Sequence, residues 1–248
     1  MKNLILCEGS TDGILLQYFM REVYHWEDAA GKRRLFGNHV VWFRSLKKGT
    51  NTLDIVSCAG SSKLLPCMEY VVDLNKTAAS NEVYDKIVVI TDRDEYDTES
   101  VFMEAMRVVF TRGNVDIQRE FQHNEWISCG YESLNGRKRN MEILLLVLPF
   151  EGNGAMETFL LNAICVKDAY DAEIIQQGNQ FVDTVDTERR YLTQRRYITK
   201  AKFDVYFSIR TSAAQFSERQ DIIRGVKWED YIGTQSEFQK LAYLDEME

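Results

Sequence analysis

Lys86-Ile87-Val88-Val89-Ile90-Thr91-Asp92-Arg93-Asp94 is the stretch on which the reading of the fold turns. Four consecutive β-branched apolar residues run straight into acidic ones, the pattern of a strand buried on both faces that ends in a charged loop. In open α/β sheets the ligand crevice lies outside the carboxyl ends of the parallel strands, so Asp92 and Asp94 are expected to face it. Leu4-Ile5-Leu6-Cys7 repeats the design and ends in Glu8-Gly9. If the two strands lie side by side, three carboxylates converge, and such a cluster is hard to keep ionised without a cation.

Working outward, Ser10 or Thr11 can cap a helix that offers Ile14, Leu15, Tyr18, Phe19 and Val23 on one face. The composition from Glu27 to Gly37 turns polar and basic (Gly31-Lys32-Arg33-Arg34) and suggests a loop. Val40–Phe43 and Leu53–Cys58 are the next strands, joined by the hairpin-like Lys47-Lys48-Gly49-Thr50-Asn51. Ala59-Gly60-Ser61-Ser62 opens a helix over 63–74, and such a turn either serves as a routine N-cap or presents backbone N–H groups to an anion.

After the central strand, a helix over 99–110 offers Val101, Phe102, Ala105, Met106 and Val109 to the core. Gly130-Tyr131-Glu132 and Gly136-Arg137-Lys138-Arg139 read as turns, and Met141 to Phe150 as a strongly apolar strand ended by Pro149. Gly152-Asn153-Gly154 leads into a helix holding Glu157, Phe159, Leu160, Leu161 and Ile164. Strand and helix alternation over residues 1–165 predicts a parallel sheet.

The remaining third differs. Asp168 to Tyr197 reads as charged helix, and 200–208 as a helix or strand that periodicity does not separate. Between Asp186 and Lys202 six basic residues (Arg189, Arg190, Arg195, Arg196, Lys200, Lys202) outweigh Asp186 and Glu188. They are either phosphate contacts, with Tyr191 and Tyr197 nearby to stack, or a solvated face that pairs with the acidic body.

Composition sets outer bounds. With 248 residues, 45% of them hydrophobic, and two prolines, the chain has ample length for a core and no mark of disorder. A formal charge of -8 argues against coating nucleic acid by bulk electrostatics, although bound cations would reverse the local sign at a carboxylate cluster. Cys7, Cys58, Cys67, Cys129 and Cys165 form no CxxC pair, which disfavours structural zinc and a disulfide scaffold and suits buried, reduced thiols. No signal peptide fits the N-terminus, and the longest apolar run, 143–150, is far short of the roughly 20 residues a bilayer needs. A soluble, cytoplasmic protein with no membrane partner is expected.

Leu4-Ile5-Leu6-Cys7-Glu8-Gly9-Ser10-Thr11-Asp12, taken with Val88-Val89-Ile90-Thr91-Asp92-Arg93-Asp94, resembles the TOPRIM domain, which is marked by a strand-end Glu-Gly and a strand-end Asp-x-Asp. The intervening strand and helix, with Gly60-Ser61 between them, fit that spacing. The Glu-Gly-x-Thr-Asp form looks most like compact, uncharacterised bacterial relatives of the overcoming-lysogenization-defect (OLD) nucleases. Gly154-Ala155-Met156-Glu157-Thr158-Phe159-Leu160 and Lys200-Ala201-Lys202-Phe203-Asp204-Val205-Tyr206 also look like segments of such a family.

The resemblance implies an α/β class: a Rossmann-like TOPRIM core with a mainly parallel sheet over 1–165, and an α-rich extension over 166–248 packed on it. It implies divalent-metal-dependent phosphodiester hydrolysis of DNA or RNA, with Mg²⁺ or Mn²⁺ as cofactor. Glu8, Asp92 and Asp94 would be the catalytic and metal-holding residues, Asp12 and Glu157 the further metal ligands, and Gly9, Gly60, Ser61 and Arg93 the phosphate contacts. The chemistry agrees, since Mg²⁺ is held through a few carboxylates plus substrate phosphate, and Glu8 can complete the shell or act as general base.

Each acid also has a plainer role, Asp12 and Glu157 as first-turn helix acids and Asp92 as a loop cap. The alternative is a non-catalytic TOPRIM-like module that binds metal, nucleic acid or a partner protein. A homodimer stays open, and with no GxxxxGK[ST] any ATPase would be a separate chain. Haloacid-dehalogenase phosphatases also carry Asp-x-Asp, but Tyr96 stands where they want Thr or Val. Receiver domains need a pair of acids at the first strand, where this chain has only Glu8.

Overall fold

Along Leu4-Ile5-Leu6-Cys7 successive side chains face opposite ways and both faces are apolar, so the strand must be covered on each side. The computed structural model, which describes residues 1–30, 39–214 and 217–246, supplies both covers. Ile5, Cys7, Val88 and Ile90 enter one core, Leu4, Leu6, Ile87 and Val89 the other. A fully buried side chain of this size contributes roughly 1.5–3 kcal/mol, and the two faces together carry most of the apolar burial.

The described strands are β1 (Lys2–Cys7), β2 (Glu27–Asp28), β3 (Val40–Lys48), β4 (Asn51–Cys58), β5 (Lys86–Asp92), β6 (Val115–Ile117), β7 (Trp126–Glu132) and β8 (Lys138–Leu148). They form one sheet in the order β2-β3-β4-β1-β5-β8-β7-β6. β1 lies parallel to both β4 and β5, and β5 parallel to β8. The outer strands pair antiparallel. The sheet is therefore mixed, parallel only at its centre, where a mainly parallel one was expected.

The antiparallel flank comes from the stretch whose glycines read as turns. Gly130 lies inside β7 opposite Asn140, while Ile127, Cys129 and Tyr131 bury on one side of it. The turn itself spans 133–137, with Gly136 at φ 76°, and Lys138 and Arg139 already belong to β8. The β3–β4 hairpin closes through Gly49 as expected.

Helices α1 (Ser10–Glu22) and α4 (Met156–Lys167) cover the first face. The second is covered by α2 (Leu64–Thr77) and α3 (Thr98–Arg112). α3 buries Phe102, Met106 and Val109, but Val101 is turned to solvent. α5 (Ala169–Val185) and α6 (Arg195–Arg210) then pack beside α4, so the chain is not helical throughout 168–197. Residues 200–208 lie within α6, where Phe203, Tyr206 and Phe207 recur at helical spacing and are buried. α7 (Arg219–Gly225) and α8 (Ile232–Glu237) complete the helical C-terminal part.

A last 3-10 segment, Gln239–Asp245, returns to the amino ends of the central strands. There Asn3 donates to the Leu244 carbonyl at 2.6 Å, and Lys86 Nζ to those of Tyr243 and Glu246 at 2.8 Å. Among the described residues no helix is long and apolar enough to cross a membrane. All five cysteines are unpaired, four of them buried. The basic segment Gly31–Arg34 lies outside the described residues, whereas Glu27–Asp28 forms β2.

Candidate active site

The chain leaves β1 through α1 on one face and returns to β5 through α2 on the other, which makes the carboxyl end of β1 the switch point of the sheet. Loops from β1, β4, β5 and β8 meet there around a cleft of about 460 Å³. Glu8, immediately after β1, reaches sideways to the end of β5. Its Oε1 accepts the Asp92 N–H at 3.0 Å and a short hydrogen bond from the Thr91 hydroxyl. Burial pushes the Glu8 carboxyl above its ordinary pKa; these two donors pull it down and Asp94 pushes it up.

Asp12 occupies the first turn of α1, where its Oδ2 accepts the Gly9 N–H at 2.9 Å. Burial, then the charges of Glu157 and Glu8, push it up to about 7. Asp92 ends β5, and its Oδ1 accepts the Met156 N–H at 3.0 Å, closing the start of α4. Burial raises its pKa well above normal, and repulsion from Asp12, Glu8 and Glu157 adds to this. Glu157, in the first turn of α4, is only 4% exposed. The helix-acid roles of Asp12, Asp92 and Glu157 and their convergence are thus the same arrangement: α1 and α4 aim their positive ends at one knot of carboxylates.

Asp94 stands apart. It is exposed on the rim, its carboxyl pushed up by burial of its inner side and by Glu95, and held back by Arg195. Gly9 starts α1 at the cleft wall. Gly60 adopts φ 99°, a backbone that L side chains resist, and its N–H donates to the Glu8 carbonyl at 3.1 Å. That bond ties the β4 turn to the β1 turn and lays Ser61 on the cleft, its N–H against the Glu8 carboxylate. Arg93 points elsewhere: it donates to the Pro149 carbonyl at 2.8 Å and pairs with Glu99 at 2.8 Å, lining a separate cleft with Tyr96 and His123.

Two sets of cations were not placed at the site by sequence. Arg219 pairs with Glu157 at 3.4 Å and also binds Asp204; no local pattern marks it. Arg195, Arg196 and Lys200, at the start of α6, line the same cleft as the carboxylates. The basic surplus there was visible, but not its position. Among the described residues no group of three or more His, Cys, Asp and Glu side chains makes a ready-made ion cage. The donors are nonetheless all oxygen and mostly carboxylate, a set suited to a hard cation such as Mg²⁺ or Mn²⁺.

The sequence profile of a family described as "Protein of unknown function (DUF3226)" matches residues 2–231. No curated protein matches the chain. Among solved structures, the chain is similar to the crystal structure of a hypothetical protein from Pyrococcus horikoshii OT3, with 98% of each chain covered, 14% identity and a TM-score of 0.52. At that identity the likeness speaks for the fold alone.

Proposed function

Because the chain belongs to the DUF3226 family, whose description carries no activity, we propose a function from the site itself: divalent-metal-dependent hydrolysis of phosphodiester bonds in nucleic acid, on a TOPRIM-like core. The observation that carries this reading is that one cleft is lined by both signs of charge, by Glu8, Asp12, Asp92 and Glu157 and by Arg195, Arg196 and Lys200. A phosphodiester needs both, cations along its backbone and a centre that acts on the phosphorus.

Asp92 and Asp12 would hold the ion, with water and substrate phosphate filling the shell that the two side chains leave incomplete. When bound, the metal supplies Lewis-acid activation of the phosphate and of a water. Glu8, oriented by Thr91 and the Asp92 N–H, is held where it can take a proton from an attacking water, and its raised pKa brings it nearer neutral pH. Arg195, Arg196 and Lys200 hold the substrate's phosphates against the cleft, and Asp94 on the rim steers Arg195.

One observation favours the second reading, a module that binds metal, nucleic acid or a partner protein without cutting: Arg219 already neutralises Glu157. Incubating the purified protein with single- and double-stranded DNA and RNA, with Mg²⁺ or Mn²⁺ and with EDTA, separates the two. Hydrolysis is expected only with the divalent ion and is abolished by Asp92→Ala. Binding without hydrolysis selects the second reading, and hydrolysis that survives Asp92→Ala rejects the site.

A further inference from the structure

Beyond the cleft wall, α6 is preceded by a segment with an organisation of its own. Asp186 ends α5 and folds back the chain that follows, its Oδ1 accepting the Arg190 N–H at 3.0 Å and its Oδ2 those of Tyr191 and Leu192 at 2.8 and 2.7 Å. Three backbone donors on one carboxylate hold its pKa below the usual range and fix the segment's shape. Arg189 takes φ 49°, the turn that this clasp requires. What the clasp presents to solvent is an alternation of cations and rings. Tyr191 is 72% exposed beside the Arg190 guanidinium, and Tyr197 is 39% exposed beside that of Arg196.

Two features mark this surface as made for a partner. Of the six basic residues between 186 and 202, only Arg195 and Lys202 form ion pairs among the described residues, with Glu95 at 3.4 Å and Asp183 at 2.9 Å. Among the described residues Arg189, Arg190, Arg196 and Lys200 have no acidic partner, in a chain with a formal charge of -8, where a merely solvated face would pair with the body. The row is also continuous with the proposed active site, since Arg195, Arg196 and Lys200 line the cleft itself.

We propose that Arg189, Arg190, Tyr191, Arg196 and Tyr197 form a track for single-stranded nucleic acid that leads the strand into the carboxylate cleft. The inference rests on the reading of that cleft as a phosphodiesterase centre and adds the substrate's strandedness. Duplex bases are stacked on one another and offer their edges, so a duplex could use the cations but not the rings. An unpaired strand uses both, phosphates on the arginines and base faces on Tyr191 and Tyr197.

The test is fluorescence anisotropy of a labelled oligothymidylate and of a mixed-sequence duplex of equal length, in EDTA so that no cleavage intervenes. The wild-type chain is expected to bind the single strand more tightly. Tyr191→Ala and Tyr197→Ala should each weaken that binding by roughly 5- to 100-fold, and Tyr→Phe at either position should restore it. Arg189→Gln and Arg190→Gln should each lower the slope of log affinity against log salt by about 0.7. Equal or tighter duplex binding, or single-strand affinity unmoved by both Tyr→Ala changes in a chain whose circular dichroism is unaltered, overturns the track. Binding as expected with no hydrolysis in Mg²⁺ or Mn²⁺ would instead leave the track standing and remove the phosphodiesterase.

Discussion

Asp92 is held by a hydrogen bond that an amide could accept equally well, the one from the Met156 N–H, while its carboxyl lies among those of Asp12, Glu8 and Glu157. Asp12, pushed up to about 7, keeps its proton in the folded chain at pH values where the unfolded chain has lost it. The folded state therefore binds more protons than the unfolded one between about pH 4 and that value, and its stability falls as pH rises through this window. In EDTA the melting temperature should drop across the window, and Mg²⁺ should restore more of it at the upper end than at the lower. Asp92→Asn should flatten the slope, raise the EDTA melting temperature at pH 8 and lose the response to Mg²⁺. A wild-type melting temperature that stays level or climbs over the same window would mean that the four acids do not share one buried site.

Helix α1 owes its place on the sheet to a missing side chain. A Cβ at Gly13 would fall 2.2 Å from Ser57 Oγ and 2.6 Å from the Trp42 ring, well inside contact distance. Gly13→Ala should force α1 away from β3 and β4 at about 1–3 kcal/mol in urea unfolding, and, by shifting the neighbouring Asp12, should also weaken stabilisation by Mg²⁺. The elements that sequence made plain are those whose burial is nearly complete: β1, β5 and residues 143–148 of β8 hold continuous apolar runs because both faces are covered there. β7 was hidden by Gly130, which reads as a turn although the residues on either side alternate inward and outward. Among the site acids, Glu8, Asp12, Asp92 and Glu157 were legible because each sits at a strand end or in a helix's first turn, so that local pattern fixes its position. The Arg219 pairing was not, since it depends on the C-terminal helices folding back over a separation of 62 residues. Nor could the pattern tell that Arg93 turns away from the cleft, because the backbone direction at a loop residue is set by its partners, here Glu99 and the Pro149 carbonyl.

At the scale of the whole molecule, the segment 239–246 is fastened to the amino ends of the central strands. Lys86 is only 2% exposed and donates hydrogen bonds to the carbonyls of Tyr243 and Glu246, with the Tyr243 ring against its ammonium. Asn3 and Asn51 bind the same segment from β1 and β4. Lys86→Met keeps the length of the side chain and removes the donor, leaving those carbonyls unsatisfied, so a loss of about 2–4 kcal/mol is expected, with faster hydrogen exchange at the amino ends of β1 and β5. A fall in stability without that local change in exchange would show that the segment is held without Lys86, by the Asn3 and Asn51 bonds and the burial of Leu241 and Leu244. The fastening also has a practical side. Glu246 lies at the opposite rim of the sheet from the carboxylates, so a biosensor surface that grips the polypeptide there would hold every copy with its mouth turned outward, open to oligonucleotides flowing past.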